Sequence, residues 1–248
     1  MYLIILFVAL FGLIIGSFIS ALSYRYPRRI SIARGRSKCP SCKNTIAWYD
    51  NIPLLSYILL AGKCRNCKKH ISIRYPLIEF FTILGFVLIF LEFNSNAVLT
   101  MFYLIIYSLL VLIFVVDFEF QIIPDIFVYF GIFASFLYLL IFNERILFSS
   151  LFAGFLASVF LLSLFFLTKG KGMGLGDVKF AIFGGMLTGI NLLFIWLFLA
   201  FLTGAAVGII LILSQKASIK SKIAFGPFLA FGLLVSLLWG EKIIAALL

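Results

Sequence analysis

The chain has 248 residues, 64% of them hydrophobic and only 12% charged, with a mean hydropathy of +1.22. Soluble domains are about half apolar and a quarter charged, so this composition excludes an ordinary soluble enzyme, a disordered chain and a secreted disulfide scaffold. The formal charge is +11, and all of it falls between Arg25 and Arg74, where twelve basic residues face only Asp50.

Long apolar runs point to an all-α polytopic membrane protein, because β-barrel strands alternate with lumen-facing polar residues. In chain order the runs predict about eight transmembrane helices, at 2–23, 77–91, 97–116, 125–142, 147–167, 178–189, 191–213 and 223–240. No basic residue precedes the first run and the charges follow it, which reads as a retained span rather than a cleaved signal peptide. The second and sixth runs are short against the ~20 residues a bilayer needs. With eight passes and loop 24–76 on the cytoplasmic side, 18 basic residues fall inside and only Arg145 and Lys242 outside. Both termini are then external.

Loop 24–76 is a polar island holding all four cysteines and the only histidine, His70. Cys39-Pro-Ser-Cys42 and Cys64-Arg-Asn-Cys67 are two C-x-x-C pairs separated by 21 residues, close to zinc-ribbon spacing. Two such pairs complete a tetrahedral four-cysteine site, which is structural because four protein ligands close the coordination sphere. The alternative, two disulfides, conflicts with a reducing cytoplasmic location. A lone loop histidine such as His70 is usually solvated, although it could replace a ligand. Basic charge beside a zinc module also suits nucleic acid. Charge flanking a membrane is better explained by topology and anionic lipid, so no nucleic-acid partner is expected.

Beyond the island, Glu92, Glu144 and Glu241 lie at external helix ends, where a solvated carboxylate costs little. Glu79 sits one turn into the second span. Asp117 ends the apolar run 105–116, and Asp177 closes Gly172-Met-Gly174-Leu-Gly176-Asp177 before the sixth span. Both fall on the cytoplasmic side, and a carboxylate at that boundary is a functional candidate by default. Two that can meet share a proton, one serving as general base towards water and the other polarising a scissile carbonyl. Gly174 and Gly176 would let an extended substrate approach closely, and Lys179 stands nearby. The bland reading of Asp177 is an N-terminal helix cap. Asp125 follows Pro124 at a helix start, where an acid suits the dipole. It could still assist the site from eight residues beyond Asp117.

Taken together these residues resemble the type IV prepilin peptidase family, and nearly end to end. Gly16-Ser17-Phe18 with Arg25 and Pro27 is similar to the family's opening motif. The cytoplasmic module follows in order: Cys39-Pro-x-Cys42, Asp50-Asn-Ile-Pro-Leu-Leu-Ser56, Gly62-Lys-Cys64-x-x-Cys67, Ile71-Ser72 and Arg74-Tyr-Pro-Leu-Ile-Glu79. Asp117 with Pro124-Asp125, Gly174-x-Gly-Asp177-x-Lys179 and Phe225-Gly226-Pro227 complete the set. The resemblance implies that Asp117 and Asp177 are an aspartic-protease pair. The substrates would be prepilins or pseudopilins, cut after a glycine at the cytoplasmic face of the bacterial inner membrane. It also implies methylation of the new N-terminus by S-adenosylmethionine, with Glu79, Gly62 and Asp50 as candidate residues for that step. Nothing in periodicity or spacing shows methylation. Ser20 departs from the family, which has Asn there, and this prompts an alternative of peptidase activity alone. A proton- or ion-coupled transporter is the remote alternative, and both aspartates at one face argue against it. The expected organisation is helix 1–23, loop 24–76 with zinc and methyl transfer, and a helical peptidase domain over 77–248.

Overall fold

The computed structural model describes residues 2–32, 35–216, 218, 221 and 223–247, the last without its side chain. Arg34, Lys220 and Lys222, which enter the count of basic residues, lie outside the described residues. Among the described residues, eight α-helices and one 3-10 helix form in the order α1 Tyr2–Arg25, η1 Trp48–Asn51, α2 Leu55–Leu59, α3 Arg74–Phe93, α4 Ala97–Phe120, α5 Asp125–Phe142, α6 Glu144–Leu167, α7 Leu175–Leu213 and α8 Gly226–Leu247. The same residues contain no strand, only two isolated bridges. Seven of the helices are long and apolar enough to cross a membrane, so the chain is a multi-pass membrane protein. It divides into two compact units, Met1–Leu112 and Ile113–Leu248, with the division inside α4.

In the first unit α1 packs on α3. Lipid supplies no hydrophobic force between helices, so close approach through small residues does that work. A Cβ on Gly16 would lie 2.9 Å from the Glu79 Cα, so the two backbones meet there. Arg74 ties the same helix ends together, donating from Nη2 to Ser23 Oγ (2.7 Å) and from Nη1 to the Ser20 carbonyl (3.2 Å). That attachment draws Arg74–Pro76 into α3. The second span therefore has 20 residues and full bilayer length, where composition alone suggested a short one.

In the second unit the expected sixth and seventh spans are joined in α7, 39 residues long. A straight helix of that length would extend about 58 Å, nearly twice the hydrocarbon thickness. It is not straight. Gly189 has φ 57° and ψ −175°, outside helical geometry. The Phe180 and Trp196 rings lie 6.4 Å apart, whereas sixteen residues of straight helix would separate them by about 24 Å. The Trp196 ring fills the place where a Gly184 side chain would stand. The chain thus doubles back at Gly189 as a helical hairpin, which gives the eight passes expected from charge and preserves Leu175 and Leu213 on one side. Gly185 lets α7 reach α6, since a Cβ there would lie 2.6 Å from the Ala153 carbonyl.

The backbone at Gly189 is in a region almost reserved for glycine. Gly189→Ala is expected to cost about 1–3 kcal/mol, read as a lowered Tm of the purified protein. An unchanged Tm would contradict the hairpin geometry.

Candidate active site and metal centre

Asp117 and Asp177 both belong to the second unit, and both are buried. Asp117 stands in the last turn of α4 and Asp177 is the third residue of α7. Each is held by one glycine N–H. Gly226, the first residue of α8, donates to Asp117 Oδ2 at 2.9 Å. Gly174, the N-cap of α7, donates to Asp177 Oδ2 at the same distance. The Asp177 N–H returns a bond to the Gly174 carbonyl at 3.2 Å, so Asp177 does cap its helix. Capping uses only one oxygen, and Oδ1 is buried with no hydrogen-bond partner. A buried polar atom left unpaired is costly, which marks this oxygen as more than a cap.

Ile123 brings the two aspartates into one cluster. A Cβ on Gly176 would meet the Ile123 side chain at 3.0 Å, and one on Gly226 would meet its Cδ1 at 3.1 Å. The glycines beside both carboxylates therefore pack on one residue. A Gly226 Cβ would fall 2.6 Å from Asp117 Oδ2, so any larger residue there would push the carboxylate from its place. Gly226 and Ile123 are site residues that residue-by-residue reasoning missed; the Phe225-Gly226-Pro227 motif was the available signal for the first.

Lys179 does not join the aspartate pair. Its Nζ bonds both oxygens of Asp125 at 2.9 and 2.8 Å, above the Tyr129 ring. This half-exposed pair links the first turn of α5 to the second turn of α7, and such a pair contributes little to stability.

In the first unit the four cysteine sulfurs lie within 4.8 Å of one another and could hold a metal ion. Cys39 Sγ and Cys67 Sγ are 3.9 Å apart, against about 3.8 Å for the edge of a tetrahedron with Zn–S near 2.3 Å. All four are free thiols. Each pair sits in the same knuckle, repeated at an offset of 25 residues. The Cys39 N–H bonds the Asn44 carbonyl and the Cys64 N–H the Lys69 carbonyl, both at 2.9 Å. Lys43 (φ 61°) and Lys68 (φ 57°) make the tight turn in each. Backbone N–H groups of the first knuckle, that of Cys42 foremost, lower the Cys39 thiol, while the Cys42 thiol is pushed the other way, so the clustered thiols titrate as one set. His70 pairs its backbone with Lys63 and is not in the cluster.

The remaining candidates surround α2. Glu79 is buried and its Oε2 accepts the Leu54 N–H at 2.8 Å. Gly62 (φ 66°) packs on the Tyr57 ring. Asp50 is clamped by Arg65 through three contacts of 2.7–3.1 Å, and these hydrogen bonds hold its carboxyl below the usual range.

Two family models match the chain: the bacterial peptidase A24 N-terminal domain over residues 10–93, and the type IV leader peptidase family over residues 104–209. Proteins named prepilin leader peptidase/N-methyltransferase are similar along most of their length. The one from Pseudomonas aeruginosa is 32% identical over 94% of this chain and 90% of its own. That of Bacillus subtilis is 32% identical over 95% and 94%, and that of Vibrio cholerae 35% over 77% and 79%. No solved structure matches.

The thiol cluster carries its own test. Protein purified without chelator is expected to contain about one tetrahedral metal ion per chain, measured by elemental analysis. Cys64→Ser/Cys67→Ser should lose the ion and expose the loop to protease. A metal-free, protease-resistant loop would refute the site.

Proposed function

The chain belongs to the type IV leader peptidase family, and from that premise we propose that Asp117 and Asp177 are the catalytic pair that removes the leader of prepilins. The observation that carries this reading is two buried carboxylates, each aimed by a single glycine N–H and joined through Ile123. The ionised aspartate takes a proton from water, and the resulting hydroxide attacks the scissile carbonyl. The protonated aspartate donates to the carbonyl oxygen, giving a gem-diol. Collapse of the diol breaks the C–N bond, and the proton taken from water passes to the leaving amine. The pair titrates as a unit. The glycine N–H groups hold both carboxylates still; Gly176 gives its side-chain space to Ile123 rather than to a peptide, while Gly174 leaves the approach to the Asp177 carboxylate uncrowded.

The loop 24–76 is the metal and methyl-transfer module of this proposal, and 77–248 the peptidase domain behind helix 1–23. Zinc is the metal that suits four thiolates with a tetrahedral edge of this length, and its part is structural. S-adenosylmethionine supplies an electrophilic methyl group to the new amine, which must be neutral to accept it. Glu79, a buried carboxylate, is suited to a cationic donor, while Gly62 makes the turn after α2 and Asp50 holds Arg65 in the same module. The enzyme sits in the bacterial inner membrane with loop and aspartates on the cytoplasmic side, an orientation the charge distribution supports. Its loop contacts anionic lipid, and nucleic acid is not a partner.

A peptidase-only reading rests on Ser20, whose buried Oγ has no hydrogen-bond partner. The mass of a co-expressed pilin's N-terminus decides between the two. A gain of one methyl group is expected, and a free amine supports the alternative.

Asp117→Asn and Asp177→Asn should each reduce cleavage by at least about 100-fold with the protein still folded. Gly226→Ala should also impair it, by displacing the Asp117 carboxylate. Retained cleavage in either asparagine variant would overturn the assignment.

A further inference from the structure

The segment between the two knuckles is used neither by the thiols nor by the aspartates, yet polar bonds fix it firmly. Ser56 Oγ donates to the Tyr49 carbonyl (2.9 Å) and accepts the Ile52 N–H (3.0 Å), joining α2 to η1. Arg65 grips Asp50 and lies over the Tyr49 ring. Leu54, at φ 57° in the left-handed region, aims its N–H at Glu79. Ser56 is the buried residue of α2. Leu55, Ile58 and Leu59, spaced to share a helix face, are 50%, 71% and 74% exposed. Trp48 on η1 is 76% exposed.

The bond to Glu79 fixes the depth of this apolar face. Glu79 is five residues into the span α3, about 7.5 Å along its axis from Arg74. A helical side chain leans towards the helix N-terminus. The start of α2 therefore stands level with the first turn of α3, at the membrane boundary and not out in solution. Arg74, bonded to Ser20 and Ser23 near the end of α1, marks the same level. The loop that carries α2 has twelve basic residues in its sequence from Arg25 to Arg74 against the single acid Asp50, a charge balance that attracts anionic headgroups. An apolar face flanked by basic charge, at interfacial depth, has the chemistry of a monotopic membrane anchor.

We propose that α2 is an interfacial anchor, with Leu55, Ile58 and Leu59 immersed among the anionic lipids of the leaflet on the loop's side. The anchor holds the metal module down on the membrane between its two covalent tethers, α1 and α3. The same charge disfavours a basic leader or a second, equally basic copy as occupant. The inference rests on α1 and α3 being spans and not on the roles of Asp117 and Asp177, so it stands or falls separately from cleavage.

Photo-crosslinking tests it in the full chain. p-Benzoylphenylalanine is placed at Ile58 or Leu59, both exposed enough to accept it, and at Phe148, an exposed residue of the apolar span α6, as a positive control. Each protein is reconstituted with its metal in nanodiscs of phosphatidylethanolamine with or without phosphatidylglycerol, in the presence of a prepilin. Adducts are identified by mass. Lipid adducts at 58 and 59 are expected, at least about two-fold more abundant when phosphatidylglycerol is present. Lipid adducts at Phe148 but none at 58 and 59 would overturn the proposal. So would adducts chiefly to the prepilin or to a second copy, or a yield indifferent to anionic lipid.

Discussion

A carboxylate taken out of water must find hydrogen bonds or lose its charge, and that constraint organises the second unit. Asp117 and Asp177 each find one donor, the N–H of a glycine that opens a helix, at the same 2.9 Å. The donor at 226 is available only because that residue has no Cβ to collide with the carboxylate it serves. Fixing these bonds also fixes the starts of α7 and α8. The site and the packing of the unit are therefore one arrangement.

The hairpin at Gly189 serves the same end. Asp177 must sit at a helix start on the membrane boundary, while α7 must still cross and return. Doubling back at one glycine does this with no polar loop, and lays Trp196 on the small surface of Gly184, with its indole N–H bonded to the Leu229 carbonyl at 2.9 Å. Small residues on α6 and α7 let the backbones close in where lipid offers no hydrophobic drive.

The first unit meets a different constraint. Its loop has too little apolar mass to make a core, and three devices replace one: four thiols that could share an ion, the Asp50–Arg65 clamp, and anchoring at the spans, where Glu79 accepts the Leu54 N–H and Arg74 ties the start of α3 to the end of α1. Glu79 illustrates why one residue carries two readings. Its buried carboxylate is a candidate for methyl transfer, and it is also what sets the level of α2.

Composition and charge alone determined the membrane class, the number of passes and the concentration of positive charge in one loop, because apolar length and basic asymmetry are one-dimensional properties. The C-x-x-C pairs were equally legible, since a two-residue gap places both sulfurs on one side of a turn. The candidacy of Asp117 and Asp177 also came from sequence, through carboxylates placed where a membrane tolerates few. Their meeting is a different matter. It needs Gly226, more than a hundred residues beyond Asp117, and Ile123 between them, and no local pattern encodes that closeness. Lys179 shows the same limit: two residues from Asp177 in the chain, it points round the helix and pairs with Asp125. The break at Gly189 was legible as the gap between the runs 178–189 and 191–213, but the packing of Trp196 back on Gly184 and the level of α2 against α3 were decided only by tertiary structure, because each depends on which surfaces pack once the helices have formed.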